Sequence, residues 1–171
     1  MVCEAPSRPP GGGLGLWGHG LRSRFPSGPP AADAEPVNEE VPCRRYLCLH
    51  CDAVIVVVPR GILPRRQYTA SAIALALTLW ASLGRTPREV RRRVSPSRIV
   101  GASRPGRWVT LARWSEAARR GTLFGQVRPI QAGTRREVAA RVAMVIVAEA
   151  PPGFMGLGLE VQAFEGGARM R

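Results

Sequence analysis

The hydrophobic pattern changes character several times along the chain. Residues 5–42 have no period. Pro and Gly crowd them, as in Arg8-Pro9-Pro10-Gly11-Gly12-Gly13 and Ser27-Gly28-Pro29-Pro30. That composition resists regular structure and predicts an irregular arm, with Leu14, Leu16 and Trp17 as anchoring points. Tyr46-Leu47-Cys48 is then followed by the β-branched run Ala53-Val54-Ile55-Val56-Val57-Val58, bounded by Pro59 and Gly61. This predicts two short strands around the Cys48–Cys51 turn.

From Thr69 the pattern turns helical. Ala70–Leu83 is apolar nearly all round, with Ile73, Leu77 and Trp80 on one stripe and Leu75, Leu79 and Leu83 on another. Such a helix belongs in a core, and Gly84 stops it. Thr86-Pro87-Arg88-Glu89 combines a capping Thr, a Pro in the first turn and a Glu that can return a bond to the cap. The short helix it opens ends near Val94, with Val90 and Val94 inward and Arg91, Arg92 and Arg93 outward. Ser95-Pro96 starts a turn, and Ser103–Gly106 has the composition of a loop. Over Trp108–Arg120, a helical period puts Trp108, Leu111, Trp114 and Ala118 on one side. Val109, Arg113, Glu116 and Arg120 fall on the other. Thr134-Arg135-Arg136-Glu137 repeats the capping pattern and opens a helix to about Glu149, stopped by Pro151-Pro152-Gly153. The Gly-rich tail after Phe154 predicts no element.

The expected fold class is therefore mainly α. It comprises a Pro/Gly-rich arm (1–42), a small, incomplete β zinc ribbon with a basic link (43–66), a helix-turn-helix-like domain (67–128), and a last helix with its tail (129–171).

Charge sharpens this division. All twenty-five basic residues are Arg, and they are unevenly placed. Residues 44–128 hold seventeen Arg against only Asp52, Glu89 and Glu116, whereas the segments on either side are close to neutral. Arg is always charged, and its planar fork matches phosphates and guanine edges. The concentration predicts a polyanion partner, nucleic acid before all others. A merely solubilising Arg-rich surface is the plainer alternative. Residues 1–30 lack the apolar stretch of a secretion signal. The longest uncharged apolar run, Tyr68 to Gly84, falls short of the roughly 18 residues of a membrane span. A cytoplasmic protein without membrane attachment is expected.

The four cysteines are Cys3, Cys43, Cys48 and Cys51. Two thiolates spaced as Cys48-x-x-Cys51 on a strand turn form half of a zinc knuckle. Cys3 stands alone. Were it the second member of another such pair, the first would fall one residue before Met1, as though the start were placed too late or a knuckle had been lost. Cys43, His19 and His50 are substitutes, His50 the poorest because it lies inside the turn. Structural Zn2+ and unligated buried cysteines both remain open. No thioredoxin-like pattern surrounds the motif, which argues against a redox role.

The run Arg44-Arg45-Tyr46-Leu47-Cys48-Leu49-His50-Cys51, followed by Val57-Val58-Pro59-Arg60-Gly61 and Leu63-Pro64-Arg65-Arg66-Gln67-Tyr68, resembles bacterial transposase-related proteins. In these a zinc ribbon precedes a helix-turn-helix. Val94-Ser95-Pro96 and Trp108-x-x-Leu111-x-x-Trp114 fit the same pattern, so the resemblance covers about residues 43–128. It implies DNA binding. The chain departs from that pattern at the first knuckle, where only Cys3 stands.

Catalysis has little to stand on. Asp33 and Asp52 are the only aspartates, Glu89 and Glu137 are placed as caps, and no acidic triad for two-metal nuclease chemistry can be drawn. Adjacent His50 and Cys51 point apart on extended backbone and make no dyad. Gly11-Gly12-Gly13-Leu14-Gly15 lacks the strand and Lys of a phosphate loop. The expectation is a non-catalytic DNA-binding protein, with no small-molecule substrate. Arg113 and Arg120 would reach bases or phosphates, and Arg65, Arg66, Arg88, Arg91, Arg92 and Arg93 would contact phosphates. The alternative is a protein-interaction or transposon-accessory module that docks on an acidic partner, or forms a homodimer through the apolar helix 70–83.

Overall fold

The structure, a computed structural model, describes residues 3–97 and 108–171. The loop expected at Ser103–Gly106 lies outside them. In chain order the strands are β1 (Leu16–Arg24), β2 (Ser27–Gly28), β3 (Val37–Asn38), β4 (Val41–Cys48) and β5 (Val54–Val57). The helices are α1 (Ala70–Leu77), α2 (Pro87–Val94), α3 (Val109–Arg119), α4 (Arg135–Ala148) and α5 (Leu159–Ala168). The chain divides into two compact units, Met1–Phe25 with Glu39–Pro59 and Pro26–Asn38 with Arg60–Arg171.

The first unit is a three-stranded antiparallel sheet in the order β1-β4-β5. Leu16 pairs with Cys48 and Trp17 with Leu47; the register then slips between Gly18 and Leu21, so that Leu21 pairs with Arg44. One extra residue on β1 makes this a bulge, and Gly20, at φ 78°, supplies the left-handed backbone there. β4 and β5 form the hairpin predicted around the cysteine turn, with Tyr46 opposite Ile55 and Leu47 opposite Val54.

The second unit is a helical body around α1, every residue of which is buried. α1 packs against α5, α2 and α4, which explains why its sequence is apolar on all sides. Thr69 caps its start by accepting from the Ala72 N–H. The helix widens into a π turn at Thr78–Ser82 and stops before Gly84, at φ 71°. Both capping boxes form: Thr86 with Glu89 opens α2, and Thr134 with Glu137 opens α4. Tyr68, Trp108 and Trp114 meet edge-to-face with centroids 5.2–5.9 Å apart, and the Tyr68 hydroxyl donates to Ser95 Oγ at 3.0 Å.

The fold is mixed α and β, not mainly α as the sequence pattern predicts. Five strands accompany five helices among the described residues. The arm expected to be irregular contributes the nine-residue β1, because β4 supplies the backbone partners that its Gly-rich sequence does not advertise. The tail expected to be featureless contributes α5. The helix-turn-helix is also corrected: α2 packs against α1, and α3 packs mainly against α4 and to a lesser extent against α1, with no substantial packing of α2 on α3 among the described residues, unlike a supporting and a reading helix. Val90 and Val94 draw α2 to α1, and Leu111 and Trp114 bury α3 on the other helices.

Candidate functional site

Two constellations carry chemistry, one in each unit. In the strand unit the β4–β5 turn brings Cys48 and Cys51 together, and Cys3 joins them. The three sulfurs all lie within 4.8 Å of one another, with Cys3 Sγ 3.8 Å from Cys48 Sγ. The turn is closed by the Asp52 N–H donating to the Cys48 carbonyl at 3.0 Å, and Asp52 adopts a left-handed φ of 57° to let the chain reverse. The backbone N–H groups of His50 and Cys51 point at Cys48 and hold its thiol below the ordinary value. The Ala53 N–H acts on Cys51 in the same direction, but the Cys3 and Cys48 thiols beside it outweigh that and leave Cys51 raised. Such a knuckle stabilises the Cys48 thiolate through backbone amides.

Zinc–thiolate bonds of about 2.3 Å in a tetrahedron set sulfurs about 3.8 Å apart, so the separation of Cys3 and Cys48 suits one shared ion. Three cysteines therefore lie close enough to bind a metal. Cys43, the fourth cysteine named from sequence, does not join them. It sits on the same strand as Cys48 but five residues earlier, which at about 3.3 Å per residue puts it about 16 Å away along β4 and on the opposite face. Its thiol is fully buried and donates to the Val41 carbonyl. His19 and His50 are absent from the group as well.

In the helical unit, Arg88, Arg91, Arg92 and Arg93 line one cleft of about 1080 Å³, together with Arg85. Arg85 was not singled out by sequence reasoning. Its signal was available, since it stands just before the Thr86 cap and so shares the end of α2 with Arg88. Glu35, Glu89 and Glu160 also line the cleft. Glu89 is committed locally: its carboxylate accepts from the Thr86 N–H and hydroxyl, each at 2.8 Å, and these bonds hold it below the ordinary carboxylate value. Arg93 is committed too, because its guanidinium donates to the Ala32 and Ala34 carbonyls and ties the segment 26–38 to α2. Arg91 donates to the Ser97 carbonyl at 3.2 Å.

The remaining expected arginines are elsewhere. Arg113 is exposed on α3, and Arg120 is paired with Glu116 at 3.1 Å. Arg66 donates to the Thr122 carbonyl, and Arg65 is exposed in a turn with φ 55°. None of these four lines the cleft.

No protein-family model, curated protein or solved structure matches this chain. Among the described residues, no helix is long and apolar enough to cross a membrane.

Proposed function

We propose that this chain is a non-catalytic nucleic-acid-binding protein in which Zn2+ braces the cysteine turn and the arginine cleft takes phosphates. The observation that carries it is the clustering of Arg85, Arg88, Arg91 and Arg92 on one cleft, where Glu89, one of its three carboxylates, is bonded into a helix cap. Arginine forks on a helix and its entry loop suit adjacent phosphates of one backbone. Glu35, Glu89 and Glu160 temper the field without cancelling that of the five arginines.

The acidic groups support a binding role over catalysis. Glu89 and Glu137 are engaged in caps, and Glu116 faces Arg119 and Arg120. Zinc would be held by Cys3, Cys48 and Cys51, with a further donor at its fourth position, and would cross-link the strand unit. The resemblance of the cysteine turn and its basic link to transposase-related proteins would make duplex DNA the first ligand to try.

The test is binding of the full chain to labelled duplex DNA over a range of salt. Phosphate contacts predict an affinity that falls steeply as salt rises. Exchange of Arg85, Arg88 and Arg92 for Gln should weaken binding and flatten that dependence. Absence of binding to any duplex at low salt would refute the proposal.

A further inference from the structure

The strand unit leaves β5 as an edge. Among the described residues β5 pairs with β4 alone, and its four residues, Val54-Ile55-Val56-Val57, are 36–52 % exposed. No charge interrupts them. A bare, β-branched, uncharged edge is what soluble proteins ordinarily blunt with charge, Pro or a cover.

Backbone polarity along β5 follows from the hairpin. The Cys48 N–H donates to the Ala53 carbonyl at 2.9 Å, and Cys48 and Ala53 continue the β4–β5 register. Antiparallel pairs alternate between bonded and non-bonded, so Ile55 and Val57 turn their amides to β4. Val54 and Val56 turn theirs away, and Val58 continues that alternation. The neighbouring Pro59 falls on the inward parity, so its missing N–H leaves the free edge intact.

We propose that this edge pairs with the β5 edge of a second copy, antiparallel about Val56. Only registers that match outward with outward residues satisfy the ladder. The register centred on Val56 matches all three: Val56 with Val56 of the partner subunit, and Val54 with the partner's Val58 in both directions. Ile55 then lies beside the partner's Val57. Every side-chain pair is β-branched, the combination cross-strand neighbours favour. The flanking charges are complementary, since Asp52 precedes the run and Arg60 follows it. An antiparallel pair sets the acidic end of one copy at the basic end of the other.

The net charge of +13 does not oppose this contact locally. Arg44 and Arg45 lie on β4, one strand in. Their counterparts across the pair are three strand spacings away, about 14 Å, beyond a Debye length of about 8 Å. The two-fold closes the assembly at two copies. The interface is one strand wide, so association is weak.

The test is sedimentation of the full chain at high-micromolar concentration in half-molar salt, where nucleic acid cannot bridge copies. A dimer of twice 18.5 kDa is expected. Val56→Pro removes the central outward N–H and spares the β4 ladder, and Val56→Lys puts a charge on the two-fold. Each should return the dimer to monomer with an unchanged circular dichroism spectrum. A wild-type monomer throughout this range, an open-ended oligomer, or a dimer that survives both substitutions would overturn the proposal. None of these outcomes bears on DNA binding, which is measured at low salt.

Discussion

Cys3 Sγ lies 3.8 Å from Cys48 Sγ although 45 positions separate them in the chain. Because Cys51 completes the group and Cys43 is remote, the four cysteines should behave unequally. Replacing Cys3, Cys48 or Cys51 with Ser should each abolish or sharply weaken zinc binding, read as metal content after gel filtration. Cys43→Ala should keep the metal and cost about 1 kcal/mol of stability from poorer packing. Equal loss of zinc in all four variants would contradict the assignment.

Thr86 and Glu89 make a titratable cap. The folded-state pKa of Glu89 is lowered by its bonds to Thr86. The sign follows: the cap is fully formed above the ordinary Glu value of about 4.3 and is lost as pH falls through the lower folded value. Glu89→Gln should remove that part of the acid dependence of unfolding, followed by denaturant titration at a series of pH values. Thr86→Ala should cost about 1 kcal/mol at neutral pH.

Neighbouring arginines on α2 should separate into two kinds. Arg88→Gln and Arg92→Gln should each lower the slope of log affinity against log salt by about 0.9 for every phosphate left without its arginine, with unchanged thermal stability. Arg93→Gln should instead lose about 1–2 kcal/mol of stability, because its bonds to Ala32 and Ala34 hold the segment 26–38. Thermal melts beside anisotropy titrations would show the division. Equal destabilisation by all three would contradict it.

Gly166 and Gly167 let α5 approach two helices at once. A Cβ on Gly167 would lie 2.7 Å from Ala74 Cβ and 2.8 Å from Ser71 Cα, and one on Gly166 would strike the Ile146 carbonyl. Backbone obstacles yield poorly. Gly167→Ala should cost about 1–3 kcal/mol by overpacking, and Gly166→Ala at least as much, in chemical denaturation. A neutral effect at both positions would mean that α5 is not docked as described.

Much of the helical unit was legible in the residues. Capping boxes at Thr86 and Thr134 are local chemistry, completed within one turn, and the structure forms both. The apolar run at 70–83 declared its own burial, and α1 is indeed enclosed by other helices of its unit. α5 was hidden because two glycines lower its propensity. Yet Leu159, Ala163, Gly166, Gly167 and Met170 recur at helical spacing, which was the available signal. The cysteine turn was legible as a motif, but its partner was not. Cys3 and Cys43 look alike as lone cysteines, and only the strand register separates them.

Sequence by itself determined the starts of the first four helices, the hairpin around Cys48 and Cys51, and the crowding of arginine into the middle of the chain. Each depends on interactions between near neighbours or on composition. Tertiary structure alone decided that a Gly-rich arm becomes β1, that Cys3 rather than Cys43 reaches the knuckle, and that α3 packs chiefly on α4. It also separated Arg93, which fastens the fold, from Arg88 and Arg92, which line the cleft without such a bond among the described residues. These outcomes turn on which distant groups satisfy a backbone amide, a thiol or a guanidinium. No local pattern encodes that choice.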